Sequence, residues 1–348
     1  MALYPVTGIL AGEKIKYNAP AGEFLYFRKA GDVMVKYEDG VMYYFIINPA
    51  SQSGRGYKIW KKIEQRLVRD GVEYQAYLTE YAGQATEYAR KLTSHCKEAR
   101  VIVVVGGDGT MNEVVDGIVS CDMVTLGYIP VGTGSDLARG LRLSGRPMCG
   151  LRRIFRARRI RQIDYGVIAY GDDVLRHRRF IVSAGIGLDA EVCQHMQRSA
   201  IKNICNRIHL RRLSYRILGF IQYLKAKPIR GYILLDGTRR VEFNYIYFIS
   251  AQIQPCEGGG FWFAPKADSS DGNLEVCIVS HASKRQVLGT LFRALFRRSH
   301  NRGLRCFSCR EVQIYTERPM AVHVDGESCQ YQSNLEVRCI ERKLKIVG

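Results

Sequence analysis

The sequence has no apolar run long enough to cross a bilayer as a helix. It has no GxxxxGK[ST] segment, so a phosphate loop with a Walker lysine is excluded. Its first residues lack a charged start followed by a long apolar core. No secretory signal is therefore expected, and the 11 cysteines read as reduced thiols of a cytoplasmic protein. Cys306-Phe-Ser-Cys309 has no second pair at zinc-finger spacing. His95, His281 and His323 have no metal-ligand partners at suitable spacing and read as surface or packed residues. Internal repeats and low-complexity segments are absent too. Acidic side chains are scarce: 33 Asp+Glu stand against 52 Lys+Arg, a net charge of +19. That excess implies an anionic partner, which could be nucleic acid, a membrane surface or phosphorylated substrates. No recognition motif supports nucleic acid.

What is present is a globular composition, 47% hydrophobic over 348 residues, which predicts two domains. The chain is organised around residues 101–113. Val101–Val105 reads as a strand buried on both faces, as inside a parallel sheet. Gly106, Gly107 and Gly109 permit close approach of a ligand to the main chain. Thr110 and Glu113 have the form of a capping box, so a helix is expected from about there. A glycine turn between a buried strand and a helix start offers unpaired N–H groups and a positive dipole end, a site for phosphate. Asp108 sits inside that turn, where a carboxylate repels phosphate unless a metal or a proton transfer justifies it.

Residues 1–40 read as a hairpin-like leader with no assigned function. From Val41 strands and helices alternate. A strand at Val41–Ile47 precedes the loop Asn48–Gly56, then a helix follows over Tyr57–Val68 with Ile59, Trp60, Ile63 and Leu67 at helical spacing. A strand at Val72–Leu78 and a helix at Ala82–Cys96 precede the central strand, and Val124–Pro130 follows it. This pattern predicts a parallel sheet with helices on both faces over 41–160, with ligands beyond the carboxyl ends of its strands. Three glycine-rich turns, Asn48–Gly56, Gly106–Thr110 and Gly132–Ser135, should gather on that edge. Ser135 reads as the N-cap of a helix over Asp136–Leu141. After a basic helix-like stretch at Arg152–Arg161, short strands dominate 161–348, predicting a mainly antiparallel β-sandwich with inserted helices. Gln194–Lys227 and Leu288–Arg305 are basic and amphipathic, and fit either a membrane surface or helices packed on the sandwich.

The ordered segments Asn48-Pro49, Gly106-Gly107-Asp108-Gly109-Thr110-Met111-Asn112-Glu113-Val114-Val115-Asp116-Gly117 and Ile129–Arg139 resemble the catalytic family of diacylglycerol kinases. Ile163-Asp164-Tyr165-Gly166, Ala184–Ala190, Gly258-Gly259-Gly260, Pro265–Gly272 and Asp325-Gly326-Glu327 continue the likeness, which covers about 41 to 340. The family includes sphingosine and ceramide kinases, and the chain looks most like its bacterial lipid kinases. Two departures stand out: Ser135 replaces an asparagine, and Val182 and Ser183 stand where an asparagine is usual.

The resemblance implies an ATP- and Mg²⁺-dependent lipid kinase that phosphorylates diacylglycerol to phosphatidic acid. Asn48, Pro49, Ser51, Gly54, Gly106, Gly107, Asp108, Gly109, Thr110, Glu113, Thr133, Gly134 and Ser135 are then the expected nucleotide contacts. Asp108 orients the metal and phosphate. Asp325 is the expected general base, Glu327 a catalytic carboxylate beside the metal, Asp164 an acceptor contact and Asp271 a structural Mg²⁺ ligand. By spacing alone, Asp325-Gly326 and Asp271-Gly272 are turns between strands. The expected setting is the cytoplasmic face of a membrane, with a lipid substrate and an anionic surface as partners, no nucleic acid, and a homodimer left open. The alternatives are an NAD kinase-like enzyme, which shares the Gly-Gly-Asp-Gly-Thr turn, and a lipid-binding regulatory protein with reduced activity.

Overall fold

The structure is a computed structural model. It describes residues 42–131, 134–156, 159–171, 174–195, 221–222, 224–281, 283–296 and 303–348, with the backbone alone of 15–19, 22–29, 32–36 and 196–198. Strands β1 (Ile15–Ala19), β2 (Gly22–Lys29) and β3 (Asp32–Lys36) form an antiparallel meander.

The next segment alternates β4 (Tyr43–Ile47), α1 (Ser51–Arg69), β5 (Tyr74–Leu78), α2 (Gln84–Thr93), β6 (Arg100–Gly106), α3 (Asp108–Gly117) and β7 (Val124–Pro130). These strands run parallel in the order β5-β4-β6-β7. The valines of β6 alternate between two cores. Val101, Val103 and Val105 meet Ile59, Trp60, Ile63 and Leu67 of α1, whereas Ile102 and Val104 meet α2 and α3. That is why the strand is apolar at every position. Two short helices close the segment, α4 (Asp136–Gly140) and α5 (Pro147–Arg156). The basic stretch expected to be helical to Arg161 is split, because β8 (Ile160–Tyr170) has begun before its end.

Beyond it come β9 (Arg176–Phe180), β10 (Ser183–Gly187), α6 (Leu188–Arg198), β11 (Ile229–Leu235), β12 (Arg239–Gln252), β13 (Leu274–Ser280) and α7 (Lys284–Ala294). The chain ends with β14 (Leu304–Cys309), β15 (Glu311–Met320), β16 (Val322–Val324), β17 (Glu327–Ser328) and β18 (Gln332–Val347). Their pairings are antiparallel, and an apolar core of inward residues such as Ile186, Ile233, Ile249, Val312 and Val337 lies between them. The fold is thus an α/β parallel sheet followed by a β-rich C-terminal part.

One feature differs from two separate sheets. The register of β18 shifts between Ile340 and Leu344. Its final residues then pair in parallel with β7, Lys345 opposite Thr125. The last strand of the chain therefore belongs to both sheets.

Candidate active site

At the carboxyl end of β6 the chain turns sharply into α3. A Cβ on Gly106 would stand 2.7 Å from Cβ of Thr110, so only glycine fits there. The helix starts at Asp108, with Gly107 extended at its N-cap and no side chain bonded to the cap. The first amides of α3 are left without intrahelical partners and face the dipole's positive end. The capping box expected of Thr110 and Glu113 does not form. Thr110 lies inside the first turn, where its Oγ1 accepts from Asn48 Nδ2 at 3.1 Å. Glu113 instead accepts from the amide of Ala85 at 3.2 Å, at the start of α2. Burial raises the pKa of Glu113, against the opposing Gly83 and Ala85 amides. That bond ties α3 to α2.

The Asn48–Thr110 bond brings the first glycine-rich loop to the second. Gln52, Ser53 and Gly54 follow in left-handed conformation, with φ of 49°, 56° and 86°. Two of these residues carry side chains that disfavour it. The loop folds back so that Tyr57 N bonds Pro49 O at 3.1 Å and Ser51 N bonds Asn48 O at 3.2 Å. Gly56 packs where a Cβ would fall 2.2 Å from Asn48 O.

Asp108 brings in the third turn. Its Oδ1 accepts from Ser135 Oγ at 2.6 Å and Tyr128 OH at 3.1 Å, and its Oδ2 accepts from the Asp136 amide at 2.7 Å. Burial pushes its pKa up, and these hydroxyls and amide oppose the shift. The carboxylate expected to face metal and phosphate is turned inward, which leaves the main chain of the turn facing out. Ser135 caps α4 as its sequence position predicts, with Oγ accepting from Ala138 N at 2.9 Å. Gly134 is exposed, and Thr133 lies outside the described residues. Asp136 reaches the C-terminal half: its Oδ2 accepts from Gly259 N at 2.7 Å, and it pairs with Arg139.

The C-terminal half supplies the turn Asp325-Gly326-Glu327. Asp325 sits at φ 46°. Its Oδ1 accepts from the amides of Val182 and Ser183, both at 2.9 Å, and its Oδ2 from Ile181 N at 2.9 Å and Asn112 Nδ2 at 2.7 Å. Burial lifts its pKa to about 6, and the three amides pull the other way. A carboxylate with both oxygens taken by four donors is a structural acceptor, so the general-base role expected for Asp325 does not fit its surroundings. Residues 182 and 183 act here through their amides. The chain's departure from asparagine at this point leaves that function untouched.

Glu327 faces the other way. Its Oε1 lies 3.7 Å from where a Cβ on Gly109 would be, against the glycine turn. Its Oε2 accepts from Arg178 Nη2 at 2.9 Å, and Arg178 also donates to Asn112 Oδ1 at 3.2 Å. Burial opposes the charge on Arg178, but the bond to Glu327 outweighs it and raises the pKa.

Arg178 and the role of Asn112 were not legible from spacing. Asn112 is fully buried, and it binds Asp325, Arg178 and the carbonyl of Arg179 at once. The rest of the Asn-Glu-Val-Val-Asp-Gly segment is explained similarly. Asp116 accepts from Arg179 N at 3.0 Å. Gly117 lets α2 approach, since a Cβ there would stand 2.3 Å from Thr86 O.

Two expected residues lie apart from this gathering. Asp164 is fully buried and accepts from Arg342 N at 2.7 Å and Gly272 N at 2.8 Å, fastening the irregular part of β18 to the 268–272 turn. That corrects its expected contact with the acceptor. Asp271 is exposed and accepts from Asn273 N at 2.9 Å, in the turn that spacing alone predicts.

His323, expected to be a surface or packed residue without metal-ligand partners, is buried and hydrogen-bonded at both ring nitrogens. Its Nε2 lies 3.1 Å from Asp189 Oδ2, and its Nδ1 accepts from Gly326 N at 3.3 Å. With Glu257 these residues bring ligand atoms within 4.8 Å of one another. Because Nδ1 faces an N–H, the proton belongs on Nε2 toward Asp189. The pair therefore backs the 325–327 turn as a hydrogen-bonded dyad rather than as a metal ligand.

Residues 42–168 match the diacylglycerol kinase catalytic domain. Residues 181–348 match the YegS C-terminal NAD kinase beta sandwich-like domain. The first of these segments is thus similar to diacylglycerol kinase catalytic domains and the second to the sandwich domain of YegS. The chain is a lipid kinase, a transferase of a family that takes its phosphate from ATP. A Bacillus subtilis protein named as the lipid kinase YtlR is 27% identical over 82% of this chain and 93% of its own length. A diacylglycerol kinase of Bacillus subtilis is 28% identical over 81% of this chain and 88% of its own. The crystal structure of a diacylglycerol kinase from Bacillus anthracis shares the fold, with a TM-score of 0.64 at 18% identity, covering 88% of this chain and 96% of that one.

Proposed function

We propose that this kinase transfers the γ-phosphoryl group of ATP to the hydroxyl of diacylglycerol, giving phosphatidic acid at the cytoplasmic face of a membrane. The observation that carries the reading is the approach of Glu327 Oε1 to Gly109. It sets a carboxylate held by Arg178 beside amides suited to a phosphate chain. The triphosphate lies along Gly107–Thr110 with Gly134 beside it, and the Asn48–Gly54 loop lines the nucleotide. The acceptor oxygen attacks the γ-phosphorus as its proton passes to Glu327. The bond from phosphorus to the β–γ bridging oxygen breaks, and that electron pair leaves with ADP.

With Asp108 and Asp325 turned inward, Glu327 is the carboxylate at the turn. That arrangement suits a Mg²⁺ held mainly by the nucleotide phosphates and water, where it neutralises charge on the transferring group.

The test is incubation of the purified chain with labelled ATP and Mg²⁺ against diacylglycerol, other lipid alcohols and NAD. Label in phosphatidic acid is expected. Label in another phospholipid would correct the acceptor, and label in NADP would replace the reading with an NAD kinase.

A further inference from the structure

Helix α7 carries large apolar residues on opposite faces. Val287, Thr290 and Ala294 turn inward and are buried, Val287 and Ala294 within a cluster that includes Phe263, Cys277 and Val279. Leu288, Phe292 and Phe296, four residues apart on the outer side, are 41%, 62% and 61% exposed. A surface helix ordinarily presents polar residues there. The rings of Phe292 and Phe296 lie 5.1 Å apart, forming one ridge. Exposed Leu224 stands beside the start of the helix, where its carbonyl oxygen accepts from Lys284 Nζ at 2.7 Å. Lys284, Arg285 and Arg293 are exposed around the ridge, and Lys284–Ala294 contains no acidic residue.

An apolar ridge rimmed by cations matches an anionic lipid leaflet, with the rings at the acyl boundary and the charges at headgroup level. We propose that α7 docks this enzyme on such a leaflet through Leu288, Phe292 and Phe296, with Lys284, Arg285 and Arg293 against the headgroups. The lipid-kinase reading supplies the reason for a bilayer to be there, and the residues supply the place. A short path joins this face to the site. Ala294 O accepts from Trp262 N at 2.8 Å, and the loop before Trp262 reaches Asp136 through the amide of Gly259.

The test is co-sedimentation of the full chain, without ATP, with vesicles of phosphatidylcholine alone or mixed with phosphatidylglycerol. A Leu288→Ser/Phe292→Ser double variant and Arg285→Glu are run beside it. The wild type is expected to bind the anionic vesicles, less so as salt rises. The double variant should bind at least about tenfold more weakly at every salt concentration. Arg285→Glu should weaken binding at low salt only. The double variant's turnover of a short-chain lipid alcohol dispersed in water should stay at the wild-type level.

Wild-type affinity of the double variant for anionic vesicles would overturn the proposal. Equal wild-type binding to neutral and anionic vesicles at all salts would do the same. So would a wild-type dimer that the double variant dissociates while vesicle binding persists, since a second copy would then cover the ridge. Vesicle binding is read without turnover, so an error in the acceptor assignment leaves this result standing.

Discussion

The turn after β6 and the turn after β16 are built alike and do opposite work. Each carries an acid directed inward. Asp108 fastens the start of α4 through Ser135 and the Asp136 amide, and Asp325 fastens residues 181–183. What each turn leaves outward differs. The first offers main-chain amides, the second a glutamate. On the proposed reading, anion binding and proton acceptance fall on two halves of the chain, which Asn112 and Arg178 bridge by hydrogen bonds. An acid in a motif is thus no guide to chemistry until its donors are known.

The sharpest way to break the comparison is Glu327→Gln. Turnover should fall about 10³-fold, within the range of a lost general base, while the unfolding midpoint drops only slightly, since glutamine can still accept from Arg178. Near-normal turnover in that variant would remove Glu327 from the proton transfer.

Asp325→Asn should behave differently. An amide cannot accept from three backbone N–H groups and Asn112 without turning its own NH₂ toward a donor, so a buried bond is lost. A stability loss of about 3 kcal/mol is expected, read from urea unfolding. An Asp325→Asn chain as stable as the wild type, with turnover lost, would restore this residue as the base.

The parallel sheet and the place of the glycine turn were legible in the sequence because both are local. Buried strands, glycines and caps are written in neighbouring residues, and the buried positions of α1 matched Ile59, Trp60, Ile63 and Leu67. Orientation of the acids was not legible. Asp325 points inward because Asn112 lies 213 residues earlier, and Asp164 because Arg342 lies 178 later. The double membership of β18 depends on a register shift that no period reveals. Glu327 was in view but placed second, since its neighbour Gly109 is close only in the fold.

A third test titrates the inward acids together. Burial is the chief cause that raises Asp325 and Asp136 to about 6 and Glu257 to about 7. A carboxyl raised in the folded state binds protons that the unfolded chain has released, so its contribution is full below the ordinary carboxyl range and lost as pH rises through 6 to 7. Stability should therefore decline, on the order of 2 kcal/mol or more, from about pH 4 to about pH 7. The decline should be shallower in Asp325→Asn. A stability that rises across that window would show these groups ionised at no cost in the fold.

The smallest effect belongs to Ser135, where this chain departs from the family's asparagine. Its hydroxyl caps α4 through Ala138 N and donates to Asp108 Oδ1, so Ser135→Ala removes a cap and one of three donors to a buried carboxylate. The cap alone is worth about 1 kcal/mol. With a donor gone, Asp108 should also keep its proton to higher pH, because burial already pushes that way. The expected result is a modest drop in urea midpoint that deepens as pH rises, with turnover reduced far less than in Glu327→Gln. A Ser135→Ala enzyme as inactive as Glu327→Gln would mean that the hydroxyl touches the nucleotide directly. The inward network of the first turn would then be part of the binding surface rather than its support.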